Sequence, residues 1–347
     1  MSTLKDIAAA LNLSPATVSR ALNGFPEVNE KTRAAVVETA RLMKYRPNQL
    51  AKKLVTGRSG MVGMILKSDS TQATDASFYE TMFGLSDQLA RRDLDLVFHA
   101  TTASDILLPY QRMVEKNTLD GFILNAPEND DPRIAYLRSE GIPFVVHGRA
   151  DDPNYAFYDI DNAQLAEDSF NLLFNLGHRR IAMLNGPTPL AFSTARLAGF
   201  TRAAQRKSLE IPAFALHHGA LTDSNGYAAA LALLSGQDGP PPTAIICAST
   251  LIAAGVYRAA SDLGFAIPRD LSIIAHDDAV PQMRAVNFNP ALTVTRAPFR
   301  DACEPLAKAI FDLLAGADPT TLQTIERAEL ILRDSTGPVA TSCDTPW

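Results

Sequence analysis

The fold is decided at the start of the chain, by TLKDIAAALNLSPATVSRALNG (residues 3–24), VNEKTRAAVVETARLMKYRPN (28–48) and QLAKKLVTGRS (49–59). Apolar residues recur there at helical spacing. Ser14 and Pro15 mark the start of a second helix directly after a tight turn, and Thr3 and Asn29 are suited to cap the first and third helices. The pattern predicts three short helices, followed by a short basic helix that ends at Gly57.

Charge is divided unevenly along the chain. Residues 1–58 hold ten Lys and Arg against four Asp and Glu, a surplus of six positive charges. The formal net charge of the whole chain is −6, so the other 289 residues carry −12. A small basic module joined to a large acidic body indicates that the first part binds a polyanion and that the second part has another task.

The bulk composition narrows the class of protein. The chain has 347 residues, 46% of them apolar, which is typical of a soluble globular protein with one small domain and one or two larger domains. We find neither a stretch apolar enough to span a membrane nor a secretory signal, and therefore expect a cytoplasmic protein. The three cysteines lie far apart, which argues against a disulfide framework and a zinc site, so we predict neither a metal nor another cofactor.

From residue 61 the pattern changes to short apolar runs, many of them separated by about twenty to thirty residues, which is βαβ spacing. Near-continuous apolar runs are typical of strands that are covered on both faces. The predicted strands are 61–66, 94–100, 121–125, 144–148, 157–161, 180–185, 213–218, 244–249, 271–277 and 292–296. Ten strands exceed one ordinary doubly wound sheet, so we predict two similar α/β subdomains with parallel sheets.

Several motifs, in their order along the chain, resemble the lactose-repressor (LacI/GalR) family of bacterial transcription regulators. They are DIAAALNLSPATVSRALNG (6–24), KTRAAVVETARLMKYRPN (31–48), QLAKKL (49–54), LGHRRIAMLNG (176–186), ARLAGF (195–200), HDDA (276–279) and PALTVTR (290–296). The resemblance implies an all-α helix-turn-helix headpiece with a hinge helix, and an α/β core similar to periplasmic binding proteins. It further implies a homodimer that represses transcription on double-stranded operator DNA and binds a small effector between the two core subdomains.

The resemblance also suggests where the domains begin and end. We expect the headpiece at residues 1–46 and the hinge helix with its linker at 47–59. The N-terminal core subdomain is expected at 60–161 plus 291–323, the C-terminal core subdomain at 162–290 plus 324–337, and a tail at 338–347. The tail has no heptad pattern that would indicate a tetramerising helix.

Residues predicted to contact DNA lie on the second helix and at helix ends. The outward face of the second helix presents Pro15, Ala16 and Arg20, which family alignment also assigns to base contacts in the major groove. Arg20 can donate two hydrogen bonds to guanine; the alternative is a solvated or phosphate-bound arginine. The predicted phosphate contacts, several of which also suit helix caps, are Thr3, Ser14, Thr17, Ser19, Asn23, Asn29, Thr32, Tyr45 and Asn48.

The hinge segment NQLAKKLV (48–55) is too short to form a stable helix alone in water. The resemblance implies that Leu54 inserts between central base pairs in the minor groove, with Ala51 nearby. The alternative is an ordinary linker with a buried leucine. We expect Leu54→Ala to weaken operator binding and to leave effector binding intact; unchanged operator affinity would contradict the insertion.

Effector-binding side chains are expected at the carboxyl ends of the strands, where parallel α/β sheets bind ligands. Asp277 and Arg196 match the effector-binding aspartate and arginine of the family. Gly148-Arg149 stands where relatives often carry Asp-Arg, and Ser249-Thr250 stands where they often carry Asn-Asp or a similar polar pair. The shorter side chains here leave room for a disaccharide or glycoside. The aromatic candidates are Phe78, Tyr79, Phe192 and Phe299, for which core packing is the alternative.

The sequence also bears on other classes of function. An enzyme is disfavoured because no GxGxxG follows a strand and because Walker A, GxSxG and HExxH motifs do not occur. A secreted sugar-binding protein would need a signal peptide and no basic headpiece. A purine-responsive, co-repressed regulator and an activator stay open within the family, as does the choice between dimer and tetramer. The favoured prediction is a repressor of carbohydrate uptake or catabolism genes with a mono- or disaccharide effector.

Overall fold

The computed structural model describes residues 2–22, 24–45, 57–67, 76–102, 104–150, 153–339 and 346–347. Contacts within the chain divide it into a small unit, Met1–Ser59, and a large unit, Gly60–Trp347. This division follows the charge boundary in the sequence, since the basic stretch forms the small unit. Within the described ranges, no helix is long and apolar enough to cross a membrane.

The described part of the small unit contains the helices α1 (Leu4–Leu11), α2 (Pro15–Leu22) and α3 (Glu30–Leu42). Each begins where a polar side chain accepts a hydrogen bond from a backbone N–H. The backbone N–H of Asp6 donates to the hydroxyl of Thr3. That of Thr17 donates to the hydroxyl of Ser14 at 3.0 Å, and that of Thr32 donates to Oδ1 of Asn29 at 2.8 Å. The core between the helices includes Ile7, Val18 and Val36, all fully buried. The predicted three-helix headpiece is confirmed.

The described part of the large unit contains two six-stranded sheets, each covered by helices on both faces. The strands of the first sheet are β1 (Met61–Lys67), β2 (Asp95–Thr101), β3 (Gly121–Asn125), β4 (Phe144–His147), β5 (Ala156–Ile160) and β11 (Gln323–Glu326). The strands of the second sheet are β6 (Ile181–Asn185), β7 (Leu216–His218), β8 (Ala244–Cys247), β9 (Ser272–Asp277), β10 (Thr293–Arg296) and β12 (Glu329–Ile331).

Helices connect most of these strands. The first sheet is covered by α4 (Ala76–Ala90), α5 (Leu108–Glu115), α6 (Pro132–Ser139) and α11 (Phe299–Leu314). The second sheet is covered by α7 (Asn162–Asn175), α8 (Ala191–Arg206), α9 (Asp223–Leu234) and α10 (Thr250–Asp262). Short 3₁₀ helices span Ala213–Ala215, Ala285–Asn287 and Pro319–Thr321.

The strand order is β11-β5-β4-β3-β1-β2 in the first sheet and β12-β10-β9-β8-β6-β7 in the second. The paired strands run parallel, except that β12 runs antiparallel to β10. All ten predicted strands overlap an observed one, although residues 213–215 form a 3₁₀ helix before β7. The predicted fold class of two doubly wound subdomains is therefore confirmed.

The expected subdomain boundaries need correction near the end of the chain. β10 pairs with β9, for example Thr293 with Ile274, so residues 293–296 belong to the second sheet and not to the expected 291–323 segment of the first. β11 pairs with β5, for example Thr324 with Tyr158, so residues 324–326 belong to the first sheet and not to the expected 324–337 segment of the second. Hydrogen-bond pairing between strands decides this membership, and the local sequence of a strand does not specify its partner.

Candidate functional site

The small unit presents one face of α2 to solvent. Val18 and Ala21 are buried against the other helices, while Pro15, Ala16 and Arg20 are exposed. These three residues therefore lie where the sequence analysis predicted the base-reading side chains of a recognition helix. Their contact with DNA stays a prediction.

The predicted phosphate-binding residues lie mainly at helix starts. Thr3, Ser14 and Asn29 are caps whose oxygens accept backbone N–H groups, so their structural role is direct. The free N–H groups and the dipole of a helix start also favour an anion, which makes the same positions suitable for phosphate. Thr17 and Thr32 lie in these first turns, and Ser19 lies on α2. Tyr45 packs partly buried against the helical core. Four predicted DNA contacts lie outside the described residues: Asn23, Asn48, Ala51 and Leu54.

The large unit contains a pocket at the carboxyl ends of the strands of both sheets. From the first sheet it is lined by residues that end or follow β3, β4 and β5, among them Asn125, His147 and Ile160. From the second sheet it is lined by residues that follow β8 and β9, among them Ala248 and Asp278. We call it the effector pocket. Ligands of parallel sheets bind at this edge.

Arg196 is buried and lines the effector pocket. Its Nε donates to Oδ1 of Asn162 and its Nη1 donates to the carbonyl of Ala248, each at 2.8 Å. The guanidinium lies over the ring of Phe192, with Cζ 5.0 Å from the ring centroid. Burial lowers the pKa of Arg196 to about 10, against the opposing effect of Asp278 and Asp159. The two hydrogen bonds and the ring of Phe192 hold the planar guanidinium group in one orientation.

A second group in the pocket pairs Arg149 with Asp159. Nε of Arg149 lies 3.2 Å from Oδ2 of Asp159, and the amide of Asn162 donates to Oδ1 of Asp159 at 3.1 Å. Burial raises the pKa of Asp159 to about 7, although Arg149 acts in the opposite direction. Because Asn162 also accepts from Arg196, a continuous polar chain runs from Arg149 on the first sheet to Arg196 on the second.

Of the two aspartates in the HDDA motif, Asp278 lines the pocket and the predicted Asp277 does not. Asp277 is buried, and its Oδ1 accepts the backbone N–H of Ala279 at 2.8 Å. Oδ1 of Asp278 lies 3.1 Å from Nε2 of His276. Neighbouring residues at the end of a strand point in opposite directions, so the motif HDDA alone does not tell which carboxylate faces the ligand.

Some of the other predicted effector residues line the pocket, and others do not. Phe192, Phe299, Arg149 and Arg196 all line it. The residues that line it do not include Ser249 or Tyr79. Ser249 is the buried N-cap of α10, where its Oγ accepts from Ile252, and Tyr79 is half-exposed on α4. Phe78 belongs to α4, but its side chain lies outside the described residues.

Several lining residues were missed by the sequence analysis. Asn125, His147, Tyr158, Asp159 and Asn162 all line the pocket. Their signal was available, because each lies at or within three residues of the carboxyl end of a predicted strand. The sequence does not show which of two neighbouring side chains at a strand end turns towards the pocket.

Two family models match the chain. The model described as bacterial regulatory proteins, lacI family, matches residues 3–48, and that of a periplasmic binding protein-like domain matches residues 170–336. The HTH-type transcriptional regulator AglR of Rhizobium meliloti is 40% identical over 337 residues, covering 96% of this chain and 94% of that protein.

Solved structures share the same fold. A complex of the transcriptional regulator CelR with cellobiose has a TM-score of 0.71 at 24% identity and covers 96% of this chain and 100% of that one. The Lac repressor dimer bound to operator and the anti-inducer ONPF has a TM-score of 0.81 at 22% identity and covers 97% of this chain and 99% of that one.

The matched regions stand in the same order as the two units, with the helix-turn-helix unit before the two-sheet unit. The identity to AglR extends across both units. The resemblance inferred from the sequence motifs is thereby confirmed. The chain belongs to the lacI family of bacterial regulatory proteins and is a DNA-binding regulator of transcription.

Proposed function

We propose that the protein represses genes of carbohydrate uptake or catabolism, and that a small sugar in the effector pocket controls its affinity for operator DNA. The pocket carries this proposal, because carboxylates, guanidinium groups and aromatic rings meet there from both sheets. Carboxylates accept hydrogen bonds from adjacent hydroxyls, guanidinium groups donate to ring and hydroxyl oxygens, and aromatic rings pack against C–H faces. The cellobiose in the similar regulator CelR supports this ligand class.

The proposed DNA contacts follow from the small unit. Pro15, Ala16 and Arg20 are exposed on α2 and contact base edges in the major groove, while the helix starts contact phosphates. Leu54, with Ala51 nearby, enters the minor groove; both residues lie outside the described ranges, and this part rests on the sequence alone.

A homodimer is part of the proposal. Two copies place two recognition helices in successive major grooves of a roughly palindromic operator. The exposed apolar side chains Phe83 on α4 (63% exposed) and Phe98 on the edge strand β2 (40% exposed) support a partner surface on this side of the first sheet. The proposed role is regulation rather than catalysis, and binding to the chromosome requires a cytoplasmic location.

The effector acts by linking the two sheets of the large unit. Arg149 and Asp159 come from the first sheet, and Arg196 and Asp278 come from the second, so one ligand contacts both. Ligand binding therefore favours one arrangement of the two subdomains and changes operator affinity, typically by about 1–3 kcal/mol and reciprocally. The direction of the change distinguishes an inducer from a co-repressor.

The test begins with a thermal-shift screen of the full-length protein against neutral monosaccharides, disaccharides and purine bases. Each compound that raises the unfolding temperature is then added to a gel shift on an operator selected from random duplexes. We expect a sugar to raise the unfolding temperature and to change operator affinity at least fivefold. A purine that does so while no sugar binds, or a bound sugar that leaves operator affinity unchanged, would contradict the proposal.

Arg196→Lys gives a sharper version of the same test. Lysine keeps the charge but cannot donate to Asn162 and Ala248 in the same plane, so we expect at least a tenfold loss of sugar affinity and normal operator binding without sugar. Arg202→Lys is the matched control, because Arg202 lies on the same helix but pairs with Glu167. Equal behaviour of the two variants would argue against this role for Arg196.

A further inference from the structure

We propose that the effector is an uncharged saccharide, and that Asp159 and Asp278 exclude the phosphorylated and carboxylated forms of the same sugars. This inference rests on the proposed sugar-binding role of the pocket. It goes further by naming the charge of the ligand and the residues that select it.

Asp159 already balances the positive charge of Arg149 inside the pocket. Its Nε lies 3.2 Å from Oδ2 of Asp159, whose side chain is 10% exposed. The carboxylate is held on its other oxygen by the amide of Asn162 at 3.1 Å. An anionic ligand would have to compete with a carboxylate that is part of the protein and pre-positioned, so Arg149 is a poor anion receptor.

Arg196 is oriented by neutral acceptors, namely Oδ1 of Asn162 and the carbonyl of Ala248. Its positive charge is favoured by Asp278 and Asp159. The charged side chains that line the described pocket, Arg149, Asp159, Arg196 and Asp278, therefore sum to zero when the acids are ionised. An uncharged ligand keeps this balance, whereas a phosphate or carboxylate adds an unmatched negative charge in a desolvated place.

The surroundings of the pocket disfavour even the negative charge of its own Asp159. Burial raises the pKa of Asp159 to about 7 even though Arg149 lies beside it. A ligand anion bound among the same groups would meet the same desolvation and, in addition, repulsion from Asp278 and Asp159. A hydroxyl group has a much smaller desolvation cost and no charge repulsion, and both carboxylates can accept hydrogen bonds from it.

The apolar part of the lining fits the same ligand class. Phe192 lies under the guanidinium of Arg196, and Phe299 and Tyr158 lie beside His147, at 5.5 Å and 6.2 Å between ring centroids. Aromatic rings pack against the C–H faces of a sugar ring but offer nothing to a phosphate. The combination of hydrogen-bond acceptors and ring faces suits a neutral polyol.

The experiment measures dissociation constants by calorimetry on the full-length protein, at pH 7.5, for matched pairs of probes. The pairs are trehalose and trehalose 6-phosphate, glucose and glucose 6-phosphate, and glucose and glucuronate. We expect at least one neutral probe to bind and its charged counterpart to bind at least thirtyfold more weakly. A charged probe that binds as tightly as its neutral counterpart, or more tightly, would overturn the inference.

Variants connect the discrimination to its cause. In Asp278→Asn the amide keeps the size of the side chain and removes its charge, so we expect the preference for the neutral probe to shrink at least tenfold, whatever happens to absolute affinity. Asp238→Asn changes an exposed carboxylate outside the pocket and should leave the preference unchanged. A preference that is the same in Asp278→Asn and in the wild type would also overturn the inference.

The outcomes separate this inference from the proposed function. If only charged sugars bind and they change operator affinity, the protein is a sugar-responsive regulator but the inference is wrong. If no saccharide of either kind binds, both the sugar-binding proposal and the inference fail.

Discussion

Asp159 shows how burial and pairing oppose each other at a single carboxyl group. Arg149 and Asn162 both stabilise the carboxylate, but burial is the larger effect and raises its pKa to about 7, from an ordinary value of 3.8. The folded protein therefore holds this proton more tightly than the unfolded chain. The stability that the proton adds is complete below about pH 4 and is lost as the pH rises through 7.

We predict that this loss of stability with rising pH does not occur in Asp159→Asn. Between pH 6 and pH 8 the free energy of unfolding of the wild type should decrease by roughly 1 kcal/mol relative to the variant. Urea denaturation at pH 6, 7 and 8 measures the difference. Asp270→Asn is the control, because Arg269 and the N–H of Ala266 lower the pKa of Asp270 to about 2, so its effect is constant over this range. Parallel curves for wild type and Asp159→Asn would contradict the assigned shift.

At the scale of elements, α2 depends on its neighbours. Its eight residues are too few for a stable helix in water, so the packing of Val18 and Ala21 against α1 and α3 maintains it. The same packing fixes which side faces out. Arg20 is therefore presented on a rigid surface, as a base-reading side chain requires.

We predict that Arg20→Ala weakens binding to the selected operator by about 5- to 150-fold, the range of about 1–3 kcal/mol for a bidentate base contact. Binding to random duplex should change much less. Titrations at several salt concentrations measure both. Arg41→Ala is the control, since Arg41 is ion-paired with Glu38 on α3. An equal loss on both DNAs, with a smaller salt dependence, would assign Arg20 to a phosphate instead.

At the scale of the whole molecule, the proposed function requires two copies. The first sheet ends in the strand β2, and α4 packs next to this strand with Phe83 left in solvent. Large apolar side chains on one side of a sheet are consistent with burial by a second copy. The order of the two units gives each copy one DNA-binding end.

We predict that Phe83→Glu converts the proposed dimer to a monomer and lowers operator affinity at least tenfold, because a carboxylate is costly to bury in an apolar interface. Light scattering after size-exclusion chromatography reports the mass. Phe311→Glu alters an exposed phenylalanine on α11 and serves as the control, for which we expect a dimer. A dimeric Phe83→Glu would place the interface elsewhere.

The sequence by itself determined the features that depend on neighbours along the chain. Thr3, Ser14 and Asn29 cap their helices through bonds to residues three positions ahead, so a short stretch contains all the information. The apolar runs and their spacing likewise determined ten of the twelve described strands and the two mainly parallel sheets. The ordered motifs determined the family.

Only the tertiary structure decided the features that depend on distant partners. β10 belongs to the second sheet and β11 to the first because they pair with β9 and β5, and the local sequence of a strand does not specify its partner. Asp278 instead of Asp277 lines the pocket because the direction of a side chain at a strand end depends on how the chain turns there. The polar chain from Arg149 to Arg196 joins a residue after β4 with residues on β5, α7 and α8, and no pattern along the sequence brings these residues together.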